Sequence, residues 1–159
     1  MKKEAIQEYA TRVSQASKSD LIVILYEMIL TELKEGKDAF QENDLLSYEK
    51  NLKQAQKYLV ELMGSLNYTY ELSLELLSLY IFVNERIITA LMKKEPTYID
   101  SAESIMDKLL VGFEGVSKAD NSGPAMKNTQ QVYAGLTYDK GKLNETYLDP
   151  NDNNRGFIA

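Results

Sequence analysis

Chemistry in this 159-residue chain would have to come from carboxylates and arginines, because histidine and cysteine are both absent. Their absence removes imidazole bases, thiol nucleophiles, zinc clusters, disulfides and the Glu-x-x-His pairs of a di-iron bundle. The nearest thing to paired acids is Glu32/Glu35 and Glu71/Glu75. Both pairs sit at helical spacing with nothing to mark them as a metal or acid–base site, so they read as solvated helix faces. Only three arginines occur, Arg12, Arg86 and Arg155, which is a poor complement for an anionic substrate. Arg86 lies in an apolar stretch, where a salt bridge to an acid on a neighbouring helix is expected. No glycine-rich phosphate loop is present, since Gly112 and Gly115 merely fall near the end of the last helix. The expectation is a protein that is not an enzyme, with no catalytic, cofactor or metal site.

Charge points the same way. The formal net charge is −6, carried entirely by residues 1–116 with 13 basic and 19 acidic side chains, while residues 117–159 hold five of each. An acidic chain lacks the clustered Lys and Arg that drive phosphate binding, so no nucleic-acid partner is expected. Met1-Lys2-Lys3-Glu4 is not followed by an apolar signal region. The longest apolar run, Leu72–Met92, is interrupted by Glu75, Asn84, Glu85 and Arg86, too many polar groups for a membrane span. A cytoplasmic protein without membrane insertion is expected.

What remains to be positioned is apolar surface, and the spacing shows which elements carry it. Leu45, Tyr48, Leu52, Ala55, Leu59, Leu62 and Leu66 alternate steps of three and four without a break, which places them on one stripe of a helix. Before it, Ser17 and Asp20 have the form of a capping box, opening a helix to about Phe40 with Ile22, Leu25, Ile29, Leu33, Gly36 and Phe40 on one face. Asn43 or Asp44 caps the striped helix. After a break at Asn67–Tyr70, Leu72, Leu76, Leu79, Val83 and Ile87 define a third helix to about Met92. Pro96 suits the first turn of a fourth, with Tyr98, Ala102, Ile105, Leu109, Phe113 and Val116 in register. Long helices with short connections pack as antiparallel neighbours, so the sequence predicts an all-α, up-down-up-down four-helix bundle over residues 1–116. Residues 1–16, with Ile6, Tyr9 and Val13, form a strap or short helix. Residues 117–159 form an irregular C-terminal tail, in which Val132–Tyr138 reads as extended or loop-like.

Two helices carry more apolar surface than one packing stripe needs. The first also shows Leu21, Ile24 and Met28; the third also shows Leu74, Leu77, Ile81, Ile88 and Leu91, and 14 of the 21 residues from Leu72 to Met92 are apolar or tyrosine. Such a helix is either central, touching three neighbours, or it walls a groove that takes an amphipathic partner segment. Leu21, Ile24, Met28, Leu74, Leu77 and Ile81 are the groove candidates from periodicity. Eleven tyrosines and no tryptophan suit surfaces that are alternately wet and covered, although Tyr48 and Tyr98 are expected to face the core.

Three blocks in order resemble the FliS family of flagellar export chaperones. The first runs from Tyr9 and Val13 through Ala16-Ser17 to Asp20-Leu21-Ile22-Val23-Ile24-Leu25-Tyr26-Glu27. The second is Ala55-Gln56 through Glu61-Leu62-Met63-Gly64-Ser65-Leu66, and the third is Leu79-Tyr80 followed by Asn84-Glu85-Arg86. The sequence departs from the family at Lys18, where a proline usually follows the Ala-Ser cap. The resemblance implies a bundle that binds the disordered C-terminal region of flagellin, blocks premature polymerisation, and presents the subunit to the flagellar type III export gate. It further implies that a strap near Tyr9 and Val13 covers part of the groove until flagellin displaces it, and it adds Tyr9, Val13, Tyr26, Gln56 and Tyr80 to the partner-binding candidates. The alternative is a self-associating structural or regulatory bundle whose groove is filled by its own tail or a neighbour's, giving a homodimer through the tail.

Overall fold

A computed structural model describes residues 1–126, and the segment Val132–Tyr138 lies outside the described residues. Five helices follow one another: α1 (Lys3–Gln15), α2 (Lys18–Gln41), α3 (Leu45–Gly64), α4 (Glu71–Lys93) and α5 (Ile99–Ala119), with a 3-10 turn at Pro96–Tyr98 before α5. Helices α2 to α5 are the expected bundle. Helix α2 packs on α3 and α5, and α4 closes the ring by packing on the same two, while α1 folds back along α2 as the strap.

The helix ends follow from local hydrogen bonding. Ser17 Oγ accepts from the Asp20 amide at 3.1 Å and Asp20 accepts from the Ser17 amide at 3.0 Å, so both partners of the capping box are in place. Of the two candidate caps for α3, Asp44 does the capping, accepting from the Ser47 amide at 3.0 Å. Its neighbour Asn43 makes the turn instead, at φ 63°, a left-handed conformation that asparagine tolerates better than most residues. Pro96 begins the 3-10 turn, where its missing N–H leaves nothing unpaired.

The stripe on α3 is the spine of the core. Tyr48, Leu52, Ala55, Leu59 and Leu62 have no exposed surface, whereas Leu45 at the outer end is exposed. On α4 the inward face differs from the expected one. It is Ser73, Leu76, Tyr80, Val83, Ile87 and Ala90, and the expected core residues Leu72 and Leu79 are exposed. Several registers of α4 are equally apolar. The observed one buries Tyr80 against a polar partner and lets Ser73 Oγ donate to the Asn67 carbonyl at 2.6 Å, so neither hydroxyl is left unpaired. On α5, Ile99, Ala102 and Met106 are buried and Val116, at the end of the expected face, is exposed.

Helices α2 and α3 approach most closely at Gly36. A β-carbon there would stand 2.5 Å from Cδ1 of Leu52, itself fully buried. Replacing Gly36 by Val should therefore lower stability by about 1–3 kcal/mol through overpacking, read as a lower denaturant midpoint at unchanged slope.

Candidate partner-binding site

A groove runs under the strap, walled by α1, α2 and α3. It has a volume of about 700 Å³ and is lined by Val13, Lys18, Leu21, Ile22, Leu25, Met28, Tyr58, Glu61 and Ser65. A smaller cavity of about 260 Å³, lined by Met1, Ile6, Glu32, Lys50, Asn51, Gln54 and Tyr58, shares the Tyr58 wall with it. The position of α2 explains the apolar lining. Its core face turns Ile29 and Leu33 inward, which leaves Leu21, Ile22, Leu25 and Met28 half-buried towards the strap.

The strap covers this groove without being built into the core, for no residue of α1 is buried. Polar contacts fasten it instead. Arg12 makes a two-pronged bond to the Glu27 carboxylate at 2.6 and 3.1 Å, and Tyr9 Oη lies 3.3 Å from Thr31 Oγ1. The Met1 ammonium sits 2.9 Å from both Glu32 and Glu35. Burial works against that ammonium, but the hydrogen bonds it donates to Glu32 and Glu35 outweigh it and hold its pKa above the ordinary value. Burial likewise pushes the Glu32 carboxyl up, against the pull of the ammonium. The Arg12–Glu27 pair is partly exposed and contributes little, whereas the Met1–Glu32 pair is almost fully buried.

The amino-acid pattern that predicted a strap, a capping box and a striped bundle now has its geometry, and one comparison decides what it is. The sequence model of the flagellar protein FliS matches residues 1–120, which takes in every helix described above. The chain belongs to the FliS family. No curated protein matches it. FliS proteins are flagellar chaperones, and the resemblance carried by the three sequence blocks holds across the whole bundle.

Against that FliS framework the predicted site residues separate into groups. Val13, Leu21 and Met28 meet in the groove, with Tyr9 on the strap beside it. Leu74, Leu77 and Ile81 lie on α4 and take no part in the groove; Leu74 and Ile81 are exposed, Leu77 half-buried, and Leu72, Phe82, Ile88 and Met92 extend the exposed apolar face. Gln56 is half-buried and donates to Asn84 Oδ1 at 2.8 Å, linking α3 to α4. Ile24, 3% exposed, lines a different and more polar cavity on the α5 side of α2.

Tyr26 and Tyr80 require correction, because neither is a surface group. Both are buried in the core with their hydroxyls 2.5 Å apart, and burial, with that hydrogen bond, pushes the Tyr26 phenol far up. A partner cannot touch them unless the bundle opens. Their role is structural pairing of α2 with α4, and a double-mutant cycle should show it. Tyr26→Phe alone should cost about 1–2 kcal/mol by stranding the Tyr80 hydroxyl, and the double Phe variant should cost less than the sum of the singles. Arg86 also departs from expectation. Among the described residues it makes no salt bridge; its guanidinium lies 5.6 Å from the Phe82 ring centre and 5.4 Å from that of Tyr98, so aromatic faces take the place of an acid.

Sequence reasoning missed Tyr58, Glu61 and Ser65, which reach the groove from α3. The signal existed: they repeat the three-four spacing one position before Leu59, Leu62 and Leu66. Ile22 and Leu25, expected in the core, pack against it and also line the groove.

At the other end of the strap, the end of α5 is bonded to the start of α2. Ser117 donates to Asp20, and Ser19 donates to Asp120 at 2.7 Å. Hydrogen bonds from Ser117 and Ser17 hold the Asp20 carboxyl below its ordinary 3.8, and bonds from Ser19 and Ser122 do the same for Asp120. A carboxyl with a depressed folded-state pKa adds stability that is complete above the unfolded value and is lost as pH falls through the folded one. This junction should therefore stay closed at neutral pH and open only well below pH 3.8, with exchange of the Ala125 amide rising there relative to its intrinsic rate. Asp120→Asn should raise that exchange already at pH 7.

Proposed function

We propose that this FliS-family chain is a cytoplasmic export chaperone that binds the disordered C-terminal segment of flagellin, prevents its premature polymerisation and aids its delivery to the flagellar type III export gate. The observation that carries this reading is the apolar groove beside the strap helix α1, in which no residue is buried. A segment that orders on binding loses several kcal/mol of conformational freedom and must bury roughly 1,000–3,000 Å² to compensate. The groove supplies part of that area, and the exposed face of α4 supplies more, with Leu74 and Ile81 at helical spacing. The strap is the element to be displaced, since no residue of α1 is buried and the contacts at Arg12 and Tyr9 can be exchanged for water at small cost. In this reading residues 1–116 are the chaperone domain and 117–159 an extension of it.

Calorimetry with a synthetic peptide of the flagellin C-terminus tests this directly. One-to-one binding with a negative heat-capacity change is expected, the mark of apolar burial. Absence of heat and of any chemical-shift change at Leu21 and Met28 would overturn the reading.

A further inference from the structure

Arg86 is a cation for which the described fold supplies no acid. Residues 1–116 hold 19 acidic and 13 basic side chains. The ion pairs among the described residues engage Met1, Arg12, Lys37 and Lys94, but not Arg86. On its own helix the positions three and four residues away are Phe82, Val83, Thr89 and Ala90, none of them charged. Glu75 shares its face but lies eleven residues away, about 16 Å along the axis and out of reach. The guanidinium lies over the Phe82 and Tyr98 rings, which attract its charge without accepting its N–H groups in the plane. Its Nε is buried with no acceptor among the described residues. The residue as a whole is half-buried, so the two Nη nitrogens are what remains open to an incoming oxygen.

The flank that carries Arg86 is apolar and uncovered. Leu72, Leu79, Phe82 and Arg86 follow at steps of seven, three and four, so they share one side of α4, and all three apolar members are exposed. This is not the side that carries Leu74 and Ile81. Those two are in register with Asn84, which is bonded to Gln56 on α3, whereas Tyr98 beside Arg86 leads into α5. A row of large apolar side chains ending in a planar cation complements an amphipathic helix that carries a carboxylate one turn beyond its apolar anchors.

We propose that this flank of α4 docks an amphipathic helical segment of a protein partner, with Arg86 holding one of its carboxylates. That flagellin supplies the segment rests on the reading above; the demand for a carboxylate does not. The probes are two synthetic helical peptides with leucines at three-four spacing, identical except for one Glu or Gln a turn beyond the last leucine. On the full chain the Glu peptide should bind about tenfold more tightly than the Gln peptide, as a charge-assisted hydrogen bond at a half-buried site provides. It should shift the Arg86 side-chain N–H resonances and the Leu79 methyls, and leave those of Leu74 in place. Arg86→Met keeps an apolar stem against Phe82 and Tyr98 and should erase the difference between the peptides. Arg86→Lys should restore only part of it, because an ammonium lacks the planar fork.

Equal affinity of the two peptides for the unaltered chain would overturn the proposal, as would a Glu preference that survives Arg86→Met. No shift at Leu79 with either peptide would do the same. So would Arg86 N–H resonances that already follow a carboxylate titration in the peptide-free chain, since an acid of the protein itself would then hold the guanidinium. A flagellin C-terminal peptide should bind the Arg86→Met chain about tenfold more weakly. An unchanged affinity would remove flagellin as the occupant of this flank. Absence of flagellin binding to either chain would count against the flagellin reading alone, with the designed peptides still deciding the site.

Discussion

Ile81→Asp should weaken binding of a flagellin C-terminal peptide by about a hundredfold while leaving the unfolding midpoint of the bundle nearly unchanged. Ile81 is 44% exposed in the free protein, so an aspartate there stays solvated and the fold loses little. In a complex that covers α4, the same carboxylate would be stripped of water among apolar groups without a partner. Losing an anchor of this kind costs about 2–4 kcal/mol, and about 2.7 kcal/mol is a hundredfold in Kd. Leu21→Asp in the groove is the companion measurement. A large loss for Leu21→Asp with none for Ile81→Asp would confine the partner to the strap groove. The reverse would place it on α4. Loss of helical circular dichroism in either variant would instead assign that side chain to the core.

Leu59→Ala should have the largest effect on stability, lowering it by about 3 kcal/mol, with a fall in Tm of roughly 10 °C. Leu59 is fully buried in the middle of the α3 stripe, between Ala55 and Leu62, and belongs to the core cluster shared by α2, α4 and α5. Removing its branched end leaves a cavity that three packed helices cannot collapse around. The control lies on the same helix. Leu46 is 79% exposed, and Leu46→Ala should change stability by no more than about 0.5 kcal/mol. Similar losses for the two variants would mean that the α3 stripe is not the spine of the fold.

Much of the fold was legible because it is written in local rules. The capping box at Ser17 and Asp20, the proline at the head of the Pro96 turn and the α3 stripe each depend on residues within one or two turns of one another. Helix boundaries followed within a few residues, although α5 runs on through Ala119, past the expected end of the bundle at residue 116. The groove was only half legible. Leu21 and Met28 stood out as surplus apolar residues, but the spacing puts Ile22 and Leu25 on the core face and marks nothing at Tyr58. A groove is made by what three helices leave uncovered between them, and no single helix's periodicity records that.

By itself the sequence determined four long helices, their order, their caps, the buried seam of α3 and a resemblance to the FliS family that the match over residues 1–120 bears out. Only the tertiary structure decided which side of α2 and α4 faces inward. Both helices are apolar over more than one face, so hydrophobic burial alone scarcely separates one rotation about the helix axis from another. The choice falls to groups that cannot be buried alone: the Tyr26 and Tyr80 hydroxyls must find each other, Ser73 must find the Asn67 carbonyl, and Gly36 must meet Leu52. These are meetings between residues far apart in the chain. They turn Tyr26 and Tyr80 into the core and leave Leu21 and Met28 half-buried and Leu74 and Ile81 exposed.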